Sequence, residues 1–325
     1  MRIRPPEREY RTWAIDSRLW AEYQPRSGDI IIATAPKCGT TWMQQIVSSL
    51  VFQDAAPRAL YNVSTWIDAR FLRPLAETYR AFEAQTHRRF AKTHVPVDGL
   101  PIYEEVQYIH VARDGRDAAL SMHNHFTGFS EDTLKQFDEI GLQDEHIRRP
   151  FPRFPSDPAD YVRLWLTTPA ISGQTDGTPY PSYFEFEAGY WAQRRRPNIL
   201  LVHYSDLLHD LDAEMRRVAA FLNVRADERI WPSMVQAAEF GQMQKAGDVL
   251  MPHLAHVLAD GSRRFFNKGT NGRWQAILGT TEIALYEAKV REHLTPGLSA
   301  WIAGGRLGAG GTARQSGLIM ICGRG

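Results

Sequence analysis

Cysteine is nearly absent: the 325 residues hold two, Cys38 and Cys322. So few argue against a disulfide framework and for a reducing compartment, so the expectation is a cytoplasmic protein. Long apolar runs are missing as well. No stretch approaches the roughly 20 residues needed to cross a bilayer, and the start, "MRIRPPEREYRTW", lacks the apolar core of a leader. A soluble chain with no membrane partner is expected. Charge of one sign is not in surplus either, since 38 basic against 37 acidic side chains leave a net charge of +1. Nucleic acid is therefore not an expected partner, because binding by phosphate neutralisation needs a basic excess or patch. Lysine is rare among the basic residues, with only Lys37, Lys92, Lys135, Lys245, Lys268 and Lys289. Where arginine is the rule, a retained lysine marks a place that calls for a compact ammonium instead of a planar fork.

Apolar material is ample, at 43% hydrophobic and 11% aromatic residues, enough for the core of one large α/β domain. Continuous apolar runs at 29–34, 88–94, 106–113 and 198–204 read as strands buried on both faces. Helical periodicity lies between and after them, most clearly at 41–53, 115–125, 183–195 and 212–222. That alternation predicts a single α/β domain, a central parallel sheet flanked by helices, with ligands at the carboxyl ends of the strands. The domain is expected over residues 1–305, and the glycine-rich, aperiodic stretch 306–325 as a flexible tail. Residues 127–181 are rich in proline and polar side chains and read as a partly ordered lid or a disordered insertion.

The most informative stretch is "IIATAPKCGTTWMQQIV", residues 31–47, a strand-like run, a tight loop and an amphipathic helix. Backbone N–H groups and the positive end of the helix dipole converge at such a helix start, and Lys37, Thr40 and Thr41 add a charge and two hydroxyls. The loop is P-loop-like without being a Walker A loop, which places its lysine after a second glycine. Here Lys37 precedes Gly39 and the first glycine is missing.

"APKCGTTW" resembles the first signature of the cytosolic-type sulfotransferases, departing from it at Ala35 and Cys38. The resemblance continues in order through "KTHVP" (92–96), "VARDGRDAALSMHNHF" (111–126), "YWAQRRRPNILLVHYSDL" (190–207) and "NKGTNGRW" (267–274). It covers roughly residues 25 to 300. It implies an enzyme moving a sulfuryl group from 3′-phosphoadenosine 5′-phosphosulfate (PAPS) to a hydroxyl, with an amine as second choice, of a small-molecule acceptor. No metal is implied.

The resemblance also implies roles. Lys37, Cys38, Gly39, Thr40 and Thr41 form the phosphosulfate-binding loop, with Lys37 at the leaving phosphate and Lys92 near the sulfuryl oxygens. His94 is the general base; two residues beyond Lys92 in an extended segment, it faces the same side, and an unperturbed pKa near 6.5 suits it to neutral pH. Arg113, Ser121, Lys268 and Gly269 hold the 3′-phosphate; Arg113 alternatively pairs with Asp114 or Asp117. Asn267 stands where the family has arginine, so one phosphate contact is lost or replaced. Trp42 and Phe240 flank the adenine, with Tyr204 nearby, while Ala238 replaces a family threonine. "STWIDARF" (64–71), with Trp66, together with Phe126 and Phe129, suggests an aromatic-walled acceptor pocket. "QAILGTTEIALYE" (275–287) leaves a homodimer as an open expectation. A nucleotide-dependent kinase and a catalytically silent nucleotide-binding protein remain rival readings. The first lacks its Walker A order, and the second has no need of His94.

Overall fold

The structure is a computed structural model and describes residues 1–308. Among these the strands are β1 (Arg2–Arg4), β2 (Ile30–Ala33), β3 (Ser64–Trp66), β4 (Phe90–Thr93), β5 (Ile102–Tyr103), β6 (Gln107–Ala112) and β7 (Ile199–His203). Five form one parallel sheet in the order β3-β4-β2-β6-β7. β1 and β5 pair antiparallel in a small separate sheet. Successive residues of β2 enter opposite cores: Ile30 and Ile32 join one cluster with Met43, Ile46 and Val47, while Ile31 and Ala33 join the other with Ala91 and Tyr108. Both faces of the sheet are thus covered, which is why its strands read as unbroken apolar runs.

The larger helices include α1 (Thr40–Phe52), α2 (Gly115–Phe126), α3 (Glu131–Gln143), α4 (Pro158–Thr167), α5 (Tyr183–Ala192), α6 (Leu211–Phe221), α7 (Thr280–His293) and α8 (Pro296–Gly308). The expected α/β class and central parallel sheet are therefore present. β2 is central, with β4 on one side and β6 on the other. The chain leaves its carboxyl end toward β3 on one flank and later adds β6 and β7 on the other, a switch point where a ligand crevice forms.

Residues 127–181 depart from expectation. They hold α3 and α4 and pack into an aromatic cluster: Phe137 lies 5.0 Å from Phe151 and 5.5 Å from Phe129, and Tyr161 lies 5.2 Å from Phe154. Their polar residues and prolines serve as helix starts. Ser130 Oγ accepts from the Thr133 amide at 3.2 Å, and Asp157 Oδ1 accepts from the Ala159 amide at 2.8 Å just before Pro158, the first residue of α4. α8 is interrupted at Gly305, whose φ of 71° and ψ of −160° are not helical; most of the stretch expected as a tail, from 309 on, lies outside the described residues. None of the described helices is long and apolar enough to cross a membrane.

Candidate active site

The loop leaving β2 takes its shape from two left-handed residues, Lys37 at φ 66° and Gly39 at φ 111°. A side chain on Gly39 would bring its Cβ to 3.1 Å from the Tyr204 ring, so glycine is required there twice over. No side chain caps the start of α1. Its first-turn N–H groups, the helix dipole and Lys37 together make a corner suited to an anion.

Lys37 Nζ lies 3.9 Å over the Phe265 ring, and Lys92 Nζ lies 4.0 Å over the Trp66 ring. Burial, and then the positive charges of Arg113 and Lys92, bring the Lys37 pKa down to about 7. Burial brings Lys92 down to about 8, opposed by Asp68. Two ammoniums held this close to neutrality in a low-dielectric cleft regain full charge when an anion joins them.

His94 follows β4 and is 6% exposed. Its Nδ1 lies 2.8 Å from the Thr34 carbonyl oxygen. A carbonyl only accepts, so Nδ1 carries the proton and Nε2 presents its lone pair. Trp66 and Tyr180 stand edge-on to the ring, at 5.0 and 5.9 Å between centroids. The expected pKa near 6.5 is not met: burial, with Lys92 and Lys37 adding repulsion, pushes it down to about 3. Asp68, fully buried, accepts from the His94 amide at 3.4 Å, from Trp66 Nε1 at 2.9 Å and from Trp20 Nε1 at 3.1 Å.

Arg113 ends the β6 segment and ties the loop to residues 267–273. Its Nη1 donates to the Lys37 carbonyl at 3.2 Å, Nη2 to the Thr270 carbonyl at 2.8 Å, and Nε to Asn271 Oδ1 at 2.9 Å. The alternative pairing with Asp114 or Asp117 is absent. Asp114 pairs with Arg116 at 2.6 Å, and Asp117 accepts the Gly272 and Arg273 amides at 2.7 and 3.1 Å. Gly269, at φ 66°, lies against Phe240, where a Cβ would come within 2.5 Å of the ring. Trp42 Nε1 donates to the Ala238 carbonyl at 2.8 Å, fixing the segment that carries Phe240 against α1.

Lys37, Gly39, Thr40, Thr41, Trp42, Trp66, Lys92, His94, Arg113, Ser121, Phe126, Phe129, Tyr204, Phe240, Asn267, Lys268 and Gly269 all line one cavity. Cys38 does not. Its side chain is 0% exposed in the core cluster behind the loop, where burial raises the thiol pKa well above its ordinary value. Its contribution to the loop is backbone only. Sequence reasoning passed over Thr34, Asp68, Asn271, Tyr180, His125, His253 and Phe265. Thr34, Asp68, Asn271 and His125 lie inside or beside quoted motifs, and His125 stands one helical turn after Ser121. His253 belongs to a run of short helices between 240 and 266 that has no period to read.

The sulfotransferase domain family matches residues 27–296, and the chain belongs to it; it is a sulfotransferase. It is similar to the glycolipid sulfotransferase of Mycobacterium tuberculosis, 33% identical over 310 residues that cover 92% of this chain and 95% of the relative. Among solved structures it resembles retinol dehydratase in complex with androsterone and inactive cofactor PAP. The TM-score is 0.64 at 22% identity, over 86% of this chain and 84% of that one. Mouse sulfotransferase SULT7A1 complexed with PAP gives a TM-score of 0.60 at 16% identity, over 85% and 87% of the two chains.

Proposed function

We propose that this protein transfers the sulfuryl group of PAPS in line to a hydroxyl of a small amphiphilic acceptor, with no metal. The acceptor oxygen forms the new O–S bond, the S–O bond to the 5′-phosphate breaks, and the hydroxyl proton passes to His94 Nε2. Lys37 carries the charge that grows on the leaving phosphate oxygen, and Lys92 faces the sulfuryl oxygens. Arg113, Ser121, Lys268 and Gly269 take the 3′-phosphate, while Trp42 and Phe240, with Tyr204, border the adenine. One observation carries this reading: His94 Nδ1 donates to the Thr34 carbonyl, leaving a base-ready Nε2 in a cavity shared with both lysines. The PAP held by the solved relatives and the glycolipid named for the mycobacterial one support the donor and an amphiphilic acceptor.

Calorimetry with 3′-phosphoadenosine 5′-phosphate (PAP) against ATP tests the donor. PAP should bind much more tightly, because only it offers a 3′-phosphate, and comparable affinity for ATP would overturn the reading. Arg113→Ala should raise the donor KM by about tenfold to a hundredfold while kcat at saturation changes by a few-fold, since the 3′-phosphate contact is the same in ground and transition states. A steep fall in kcat at fixed KM would move Arg113 into the chemistry.

The depressed pKa values set a pH signature. A group lowered to about 3 stays neutral throughout the physiological range, so kcat/KM for the donor, which reports free protein, should show no acid limb near 6.5 from His94. It should fall instead as pH rises through 7 to 8, where Lys37 and Lys92 lose their protons. PAP binding at pH 8 should then take up protons, read by calorimetry in buffers of different ionisation enthalpy. Binding with no proton uptake would contradict this account.

A further inference from the structure

Beyond His94, two more imidazoles line the same cavity, His125 and His253, and the transfer chemistry uses neither. His125 is in the last turn of α2, one turn beyond Ser121, so helix geometry turns both toward the cavity. Its ring packs 5.0 Å from Phe129 and 5.8 Å from Phe126 and Phe265. Phe265 in turn covers Lys37, and Phe126 leads through Tyr180, at 6.4 and then 5.9 Å, to His94. One aromatic ring therefore separates His125 from Lys37, and two separate it from His94.

Nδ1 of His125 is buried with no hydrogen-bond partner among the described residues. His94, by contrast, is tied to a backbone carbonyl. Burial and the neighbouring Lys37 and Lys92 hold the His125 imidazole neutral, so it offers one donor and one acceptor. Phenylalanine would fill this aromatic wall without the desolvation cost of an unpaired imidazole. Nε2, which is neither buried nor paired with any described residue, is the nitrogen left for a ligand, and a hydroxyl, itself both donor and acceptor, pairs with it in either tautomer. A hydrocarbon leaves the ring unpaired. Apolar side chains such as Leu60, Leu72, Met251 and Leu254 also line the cavity and suit an aliphatic portion.

We infer that His125 is a specificity residue that hydrogen-bonds a second hydroxyl of the acceptor, so the acceptor has a polyhydroxylated head group joined to an aliphatic chain. This rests on the sulfuryl-transfer reading above. The experiment compares transfer from PAPS to octyl β-glucoside and to 1-octanol by wild type, His125→Phe and His125→Asn. Wild type should prefer the glucoside. His125→Phe should lower the ratio of the two kcat/KM values by about tenfold to a hundredfold, the range expected when a hydroxyl loses its partner in a buried site. His125→Asn, which keeps a donor and an acceptor, should recover part of it. Each variant serves as its own control: lost folded protein scales both rates alike and cannot change their ratio. Should the phenylalanine variant not fold, His125→Leu takes its place. An unchanged ratio, or a wild type that binds PAP and prefers 1-octanol, overturns the inference alone. A wild type that neither binds PAP nor sulfates either acceptor overturns the underlying reading with it.

Discussion

Lys37→Ala is expected to lower kcat by at least about 100-fold while donor binding weakens less. The leaving oxygen gains negative charge mainly in the transition state, and a fixed ammonium in a water-poor site acts most strongly there. The fold invests in placing this one charge. Lys37 has a left-handed backbone, its carbonyl is held by Arg113, and its ammonium rests on Phe265. Removing the side chain leaves the Arg113 bond to the loop backbone in place, so the loss should fall on the rate. Single-turnover transfer at saturating PAPS measures it. A kcat within a few-fold of wild type, with only KM raised, would reduce Lys37 to a binding charge. Chelators should have no effect on wild type; loss of activity in EDTA with recovery on adding magnesium would favour a kinase-like site.

Much of this site can be read along the chain because its parts are local. A strand, a loop with lysine before glycine and a helix start form one unbroken stretch, and β2 at 30–33 falls within the apolar run expected at 29–34. The three-residue β3 is too short to show a period, and the reading of 127–181 as a partly ordered lid or a disordered insertion missed aromatic anchors that meet only in the folded chain. Properties made by several segments escape in the same way. The His94 pKa depends on Lys37 from another strand end and on burial, and the partners of Arg113 come from residues more than 70 positions away. Cys38 shows the limit of motif reading from the other side. A residue within a binding loop can turn its side chain into the core and leave only backbone to the ligand.

His94→Ala is expected to leave PAP binding nearly intact and to lower transfer to an aliphatic alcohol by about 10²–10⁴-fold, the usual contribution of a general base. The loss should depend on the acceptor. An aliphatic hydroxyl cannot ionise unaided, so its proton needs the Nε2 lone pair that the Nδ1 bond to Thr34 leaves open. An acidic nitrophenol loses its proton to water and should retain more of its rate, provided both acceptors enter the cavity. A free-state pKa of about 3 makes a weak base, but its largest charged depressors are the two lysines that a bound phosphosulfate would neutralise. Loading the donor should therefore raise the His94 pKa toward its ordinary value. The profile of kcat, which reports the loaded state, should then show an acid limb above any seen in donor kcat/KM. The limb should vanish in His94→Ala. Single-turnover transfer to both acceptors from pH 5 to 8, by wild type and variant, measures all three effects. Equal loss with the two acceptors, or an acid limb that survives the substitution, would remove His94 from the role of base and leave the proton to another group in the cavity.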